Sequence, residues 1–235
     1  MNILLVGYGK MGKTIERIAL QRGHLITGRI DIHNPQDLDT APADVAIEFS
    51  HPNAAYNNLK KCIQRKIPVV CGTTGWLSGK EEIEKLTREA DSTFFYASNY
   101  SLGVNLFFKL NEHLARMMNQ FNTYDPSISE VHHVEKKDAP SGTAITLAEG
   151  VTKHLDRKTK WVKGSAENIE EIGIQSLRID DVPGTHVIKY TSPVDDIEIK
   201  HTAHTREGFA LGAVMVAEWI EGKKGVLNMD DFLKL

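Results

Sequence analysis

Residues 130–144 read EVHHVEKKDAPSGTA, a dense run of groups able to carry protons and charge. A histidine titrates near neutrality and can move a proton. Lys136 supplies a cation. The spacing predicts a helix over 140–155 with Ser141 as its N-cap, so that Ser141-Gly142-Thr143 offers free main-chain N–H groups and two hydroxyls, and Gly142 allows close approach. That set suits a carboxylate held beside a proton donor. A substrate with two carboxylates and a reducible double bond between them would fit it next to a nicotinamide. No metal is expected in this segment. His132 and His133 are adjacent on a predicted strand (127–135) and point to opposite faces, no cysteine lies nearby, and there is no His-x-x-x-His helix. Glu135, Lys137 and Asp138 read as bystanders.

A second chemical signal opens the chain. The apolar run 2–6 (NILLV) reads as a buried parallel strand, followed by Gly7-Tyr8-Gly9-Lys10-Met11-Gly12 and an amphipathic segment closing at Gly23. Strand, Gly-x-Gly-x-x-Gly and helix together form a dinucleotide-binding signature. Gly7 permits the tight turn, Gly9 lets the backbone approach a pyrophosphate, and Gly12 lets the helix pack close. A strand over 25–30 ends at Asp31, about 20 residues past the last glycine, where an acid binds the adenosine ribose hydroxyls. Asp31 favours NADH. Lys10, Lys13 and Arg29 could meet a 2′-phosphate, so NADPH stays open as well.

The elements that must position these groups alternate. Strands are expected at 44–50, 67–72 and 92–98, with helices opening at Pro52 and over 80–90. That pattern implies a parallel sheet with right-handed crossovers. Ligands bind beyond the carboxyl ends of such strands, which here carry Phe49-Ser50-His51-Pro52, Gly72-Thr73-Thr74-Gly75 and Ala97-Ser98-Asn99-Tyr100. Near residue 103 the pattern changes to a long apolar-faced helix, ended at Asp125-Pro126. Period-2 runs at 173–179, 186–192 and 196–203 read as antiparallel hairpins, making a sheet of about four strands with 127–135. The charged stretch 156–171 reads as a surface loop, and 206–222 as a helix packing back on the first domain. The fold class is α/β. A Rossmann-type parallel-sheet dinucleotide-binding domain (1–103, completed by 207–235) carries an inserted α+β substrate and oligomerisation domain with a mixed sheet (104–206).

Composition narrows the class. The 235 residues are 41% hydrophobic and 25% charged, ordinary for a globular protein, and the net charge of −3 gives no field for nucleic acid or a membrane surface. No apolar run is long enough to span a bilayer. The opening residues do not form a secretory leader, and Cys62 and Cys71 read as reduced core thiols of a cytoplasmic protein.

The quoted motifs, with Asn99-Tyr100-Ser101-Leu102-Gly103-Val104-Asn105, His201-Thr202-Ala203-His204-Thr205-Arg206 and Phe209-Ala210-Leu211-Gly212-Ala213, resemble the dihydrodipicolinate reductase family over nearly the whole chain. The resemblance implies reduction of 4-hydroxy-tetrahydrodipicolinate, or its dehydrated form, at ring C4 by NADH or NADPH in lysine and diaminopimelate biosynthesis. By motif it makes His132 the general acid or proton shuttle and Lys136 the second catalytic group. His133 contacts substrate, and Ser141, Gly142 and Thr143 hold a carboxylate. Gly7, Lys10, Met11, Gly12, Asp31, Phe49, Gly72, Thr74, Ala97 and Tyr100 surround the cofactor, and Gly9, Thr73 and Asn99 share the same edge. The family is usually a homotetramer joined through the sheets of the substrate domain.

The chain departs from that pattern at Asp180, where glycine is common, at Thr185, where glutamate is common, and at His51, where many relatives have arginine. The first two changes are expected to bear on turn geometry or assembly, and His51 on cofactor contacts. Only about a dozen residues join the second and third strands, too few for the usual crossover helix of a βαβ unit. Rival readings are a related two-domain reductase, aspartate dehydrogenase-like or biliverdin reductase-like, and a dinucleotide-binding sensor without turnover.

Overall fold

A computed structural model describes residues 1–205 and 207–234. Arg206, which closes one quoted motif and the expected second domain, lies outside the described residues. The chain divides into two compact units, Met1–Leu102 with Glu207–Leu235, and Gly103–Arg206.

The first unit opens with β1 (Asn2–Val6), α1 (Lys10–Gln21), β2 (Leu25–Ile30), a short 3-10 turn at Pro35–Asp39, β3 (Val45–Glu48), α2 (Pro52–Gln64), β4 (Val69–Cys71), α3 (Lys80–Glu89) and β5 (Thr93–Tyr96). The second holds α4 (Leu102–Met118), β6 (Asp125–His132), α5 (Gly142–Thr152), β7 (Lys160–Lys163), β8 (Glu171–Arg178), β9 (Gly184–Thr191) and β10 (Asp196–Ala203). The chain then returns through α6 (Glu207–Trp219), β11 (Gly225–Leu227) and α7 (Met229–Leu233).

The first sheet runs β11-β5-β4-β3-β1-β2, every neighbouring pair parallel. Its four inner strands, β1, β3, β4 and β5, are buried on both faces, which is why they read as mostly apolar runs rather than alternations. Ile3, Leu5, Val70 and Phe95 face one cluster with Ala213 and Val214 of α6. Leu4, Val6, Val69 and Phe94 face the other with Leu59 of α2 and Ile83 of α3. Each such side chain contributes roughly 1.5–3 kcal/mol of burial. The 3-10 turn stands where the short β2–β3 connection left no room for a helix. β11 was not expected. Three half-buried residues are too short a run to show a period.

The second sheet runs β10-β9-β6-β8-β7. Two expectations are corrected here. Only β9 and β10 form a hairpin. β8 and β9 are not neighbours, because β6 lies between them, parallel to β8 and antiparallel to β9. The stretch 156–171 is not all loop, since it contains β7, parallel to β8. Just before β7, Lys158 is buried, donates to the Glu171 carbonyl at 2.8 Å and pairs with Asp125 at 2.6 Å. The expectation that Asp125 and Pro126 end the helix is also corrected: α4 already stops at Met118, and these two residues begin β6. Pro126 is tolerated because β8 joins only from Ile128. One face of this sheet packs Ile128, Ile174, Ile188 and Tyr190 against Phe107 of α4 and Leu147 of α5.

Candidate active site

Within the first unit, the glycine turn is fixed by space. A Cβ on Gly7, whose φ is +97°, would lie 2.1 Å from the Phe49 carbonyl oxygen. One on Gly12 would lie 2.3 Å from the Gly7 carbonyl oxygen. Helix α1 starts inside the motif, at Lys10. Gly9 is its N-cap and there is neither a side-chain cap nor an acid in the first turn. Its first N–H groups are therefore open to an anion. This cradle fits the pyrophosphate of a dinucleotide. Beyond β3 and β4 lies a cavity of about 410 Å³ lined by Met11, Phe49, Ser50, Pro52, Gly72, Thr73, Thr74, Ser98, Tyr100 and Phe209.

Local bonding sets that rim. The Thr73 hydroxyl accepts the Ser50 N–H at 2.8 Å, and the Tyr100 hydroxyl donates to the Cys71 carbonyl at 2.7 Å. Ala97 is buried, and Asn99 bends the chain by accepting the Ser101 N–H at 2.8 Å. Asp31 ends β2, and its carboxylate accepts the His33 N–H at 2.8 Å. Lys10 is exposed. His51 caps α2, its Nδ1 accepting the Asn53 N–H at 3.3 Å.

Within the second unit, His132 ends β6 with its ring buried, and His133 follows it, half-buried and outside the strand. His133 lines a separate cavity of about 320 Å³ with Val134, Glu135, Asp180, Asp181, Val182 and Pro183. The β8–β9 connection therefore stands beside a candidate substrate group. Asp180, where the sequence departs from the family pattern, lines this cavity as well. The loop 133–141 is pinned by Arg178, whose Nε donates to the Lys136 carbonyl at 3.2 Å and whose guanidinium also reaches the Asp138 carbonyl. The Lys136 ammonium lies 2.8 Å from the Asp138 carboxylate, so Asp138 is its partner rather than a bystander. The Ala139–Pro140 bond is cis.

Ser141 faces inward. Its hydroxyl accepts the Ala144 N–H at 3.2 Å and meets His186 Nε2 at 3.2 Å, and its own N–H donates to Glu130 Oε1 at 3.0 Å. Its N–H and its hydroxyl are thus both engaged inside the protein. The open donors of the expected carboxylate cradle are the N–H groups of Gly142 and Thr143, which carry no partner among the described residues, and the Thr143 hydroxyl.

Beneath lies a polar core that sequence reasoning did not single out: Glu130, Arg178 and His186. Glu130 is fully buried. Burial opposes its ionisation, but His186 and Ser141 outweigh it and hold the carboxyl well below its usual range. Burial, then the charge of His186, push His132 down to about 4, against the pull of Glu130 and with the help of Lys136 and Arg178. His132 is therefore a neutral imidazole at neutral pH. Glu130, His132 and His186 also place one metal-competent atom each within 4.8 Å of one another. The Arg178 guanidinium, 3.4 Å from Glu130, already supplies the positive charge there. Glu130 had a signal: it is two residues before His132 and so on the same strand face. Arg178 and His186 come from β8 and β9, and no local pattern marks them. Phe209 stood in a quoted motif without a role.

Family models for the dihydrodipicolinate reductase N-terminus and C-terminus match residues 1–100 and 103–233. The chain belongs to the dihydrodipicolinate reductase family. It is 48% identical over 235 residues to the 4-hydroxy-tetrahydrodipicolinate reductase of Christiangramia forsetii, covering 99% of this chain and 98% of that one. It is 32% identical to the enzyme of that name from Methanoregula boonei, covering 97% and 95%. A solved dipicolinate-bound dihydrodipicolinate reductase from Paenisporosarcina superposes with a TM-score of 0.81 at 21% identity, covering 99% of each chain. A probable dehydrogenase from Thermotoga maritima shares the fold at a TM-score of 0.55 and 12% identity, covering 98% and 92%. With the dinucleotide cradle, membership in the dihydrodipicolinate reductase family makes the chain an oxidoreductase that uses a pyridine nucleotide. No helix among the described residues is long and apolar enough to cross a membrane, and Cys62 and Cys71 are buried free thiols.

Proposed function

We propose that this chain reduces 4-hydroxy-tetrahydrodipicolinate, or its dehydrated form, to tetrahydrodipicolinate, in the cytoplasm, as a step of lysine and diaminopimelate biosynthesis. The observation that carries this reading is the grouping in one unit of a buried imidazole, a lysine ammonium and a helix start with open N–H groups, inside a chain of this family. When bound, the reduced nicotinamide supplies the hydride. The protein's own residues do the rest. Gly142 and Thr143 bind one substrate carboxylate through main-chain N–H groups, and His133, which lines a cavity beside the strand end, contacts the substrate. The Lys136 ammonium, held by Asp138, donates a proton and offsets charge as electron density builds on the ring system. His132, neutral before substrate arrives, shuttles a proton. The negative charge of a dicarboxylate favours its protonated form.

The coenzyme favoured by the site is NADH. Asp31 stands where a 2′-phosphate would be repelled, and Arg29 is neutralised by Glu16. Lys10 and Lys13 are the cations left to admit NADPH more weakly. The assembly is a homotetramer joined through the second sheet. The sheet face away from α4 and α5 carries Val131, Leu177 and Val187 among serine, threonine and lysine, and Leu177 is exposed in the single chain. Sedimentation tests the assembly, and a monomer would refute it.

The test of the reaction couples this enzyme to the preceding synthase, which makes the substrate from pyruvate and aspartate semialdehyde, and follows loss of reduced coenzyme. Turnover is expected to fall about 100- to 10,000-fold in Lys136→Ala and His132→Ala. No coenzyme oxidation with this substrate would overturn the reading. Variants equal to wild type would overturn the residue roles alone.

A further inference from the structure

The buried core under His132 has a feature the reaction scheme leaves unused. The two oxygens of Glu130 face different halves of the site. Oε1 accepts the Ser141 N–H at 3.0 Å and lies 3.4 Å from Arg178. Oε2 lies 3.4 Å from His132 Nδ1 and 3.5 Å from His186 Nε2. Both Oε2 and His132 Nδ1 are buried without a hydrogen bond of good geometry. A small adjustment of the ring would join them. A carboxylate only accepts hydrogen bonds, so the nitrogen facing it carries the proton. The other nitrogen, Nε2, then has the free lone pair. It lies beside Gly184, where a Cβ would come within 3.1 Å of it. The absent side chain keeps that nitrogen approachable.

We propose that Glu130 is a positioning residue that selects the Nδ1–H tautomer of His132 and so makes Nε2 the nitrogen that exchanges the substrate's proton, while tying His132 to the Ser141 turn. The inference rests on the reading of His132 as the proton shuttle. Every charged or titratable group facing the pair belongs to the arrangement: Glu130 on the same strand, Arg178 on β8, His186 on β9, His201 on β10 through its field on His186, and Lys136 on the loop. One carboxylate thus fixes both the proton-carrying group and the start of the anion-binding helix.

Glu130→Gln tests it sharply. Its amide oxygen must take the Ser141 N–H, which turns the amide NH₂ toward His132 Nδ1. A donor there demands an acceptor, so the His132 tautomer should flip to Nε2–H. Nitrogen-15 NMR of the ring, assigned with His132→Gln, reads this directly. Wild type is expected to show Nδ1–H and Glu130→Gln to show Nε2–H. With the Ser141 anchor kept, KM should change little while kcat falls about 10- to 100-fold, as when a supporting partner of a functional histidine is lost. On a His132→Gln background the same substitution should cost no more than about twofold, because the two residues act as one unit.

A wild-type Nε2–H tautomer overturns the proposal, and that measurement holds even if the variant does not fold. So does an unflipped tautomer in folded Glu130→Gln, or a full kcat loss that persists on the His132→Gln background. If His132→Gln turns over like wild type, the catalytic role of His132 fails and this proposal with it. Absence of any turnover by wild type would instead sink the proposed reaction, and the tautomer would still decide the role of Glu130.

Discussion

Arg29 at the end of β2 is bound to Glu16 on α1, with its Nε 3.0 Å from the carboxylate, and its guanidinium lies 5.7 Å from the Tyr8 ring. On the proposed placement of the coenzyme, a cation able to meet a 2′-phosphate is thereby committed to an internal partner. Glu16 is held low first by that same arginine, so the pair stays charged across the working range. Glu16→Gln leaves Arg29 without its counter-charge. The expected outcome is a rise of roughly tenfold in kcat/KM for NADPH relative to NADH, about the worth of one hydrogen bond to a charged group. An unchanged coenzyme ratio would remove Arg29 from the account of specificity.

Glu48 carries a different prediction, for stability. It is fully buried at the end of β3, beside the Cys71 thiol at 3.2 Å, and its other oxygen accepts from Ser50. Burial raises its pKa, and the hydrogen bonds of Ser50, Thr73, Cys71 and Asn58 offset this only in part. A carboxyl whose folded pKa is raised favours the folded state below the unfolded value of 4.5 and loses that contribution as pH climbs through the folded value. Glu48→Gln keeps the shape and cannot ionise. Its melting temperature relative to wild type should therefore improve as pH rises above 4.5, until Glu48 is ionised in the fold as well. A difference independent of pH would show that Glu48 does not titrate in that window.

His132 works in the opposite direction on the acid side. Its folded pKa is lowered from 6.5 to about 4, chiefly by burial. The unfolded chain then binds the extra proton between those values, so stability is lost as pH falls from 6.5 toward about 4. Glu130, held low in the fold, adds a further loss below the ordinary carboxylate value. His132→Gln should flatten the upper part of this acid limb and leave the lower part. Calorimetric melts across that range decide it. Parallel curves for the two proteins would mean that His132 is not buried as a neutral ring.

How much of this was legible in the chain follows the range of each signal. The dinucleotide turn was readable because strand, three glycines, helix and Asp31 are local and each residue has one job. The parallel sheet followed from its apolar runs. The partner of β8 was not readable, since alternation in 173–179 fixes which face is buried but not which strand lies alongside. β7 was hidden by charge, because Lys158 reads as a solvated residue and only the fold shows its ammonium enclosed by Asp125 and Glu171. His132 and Ser141 were chosen for their chemistry, yet the direction of Ser141 depends on Glu130 eleven residues earlier. Arg178 and His186 reach the site only through strand pairing.

The inward turn of Ser141 makes Gly142 the sharpest probe of the anion cradle. Gly142 is the first residue of α5, a Cβ there would meet nothing within 4 Å, and its N–H has no partner among the described residues. Proline is well suited to that position, since it lacks only an N–H that the helix does not use. The residue before it must be extended, and Ser141 already has φ −70° and ψ 157°. Gly142→Pro should therefore fold with unchanged or slightly higher stability while deleting one donor. If that N–H holds a substrate carboxylate, KM should rise about tenfold or more, the cost of one hydrogen bond to a charged group, with kcat far less affected. If dipicolinate, a compound with two carboxylates, binds at the same place, its binding should weaken in the same proportion. A folded variant with wild-type KM would move the carboxylate away from the start of α5 and leave Thr143 and Lys136 to be tested in its place.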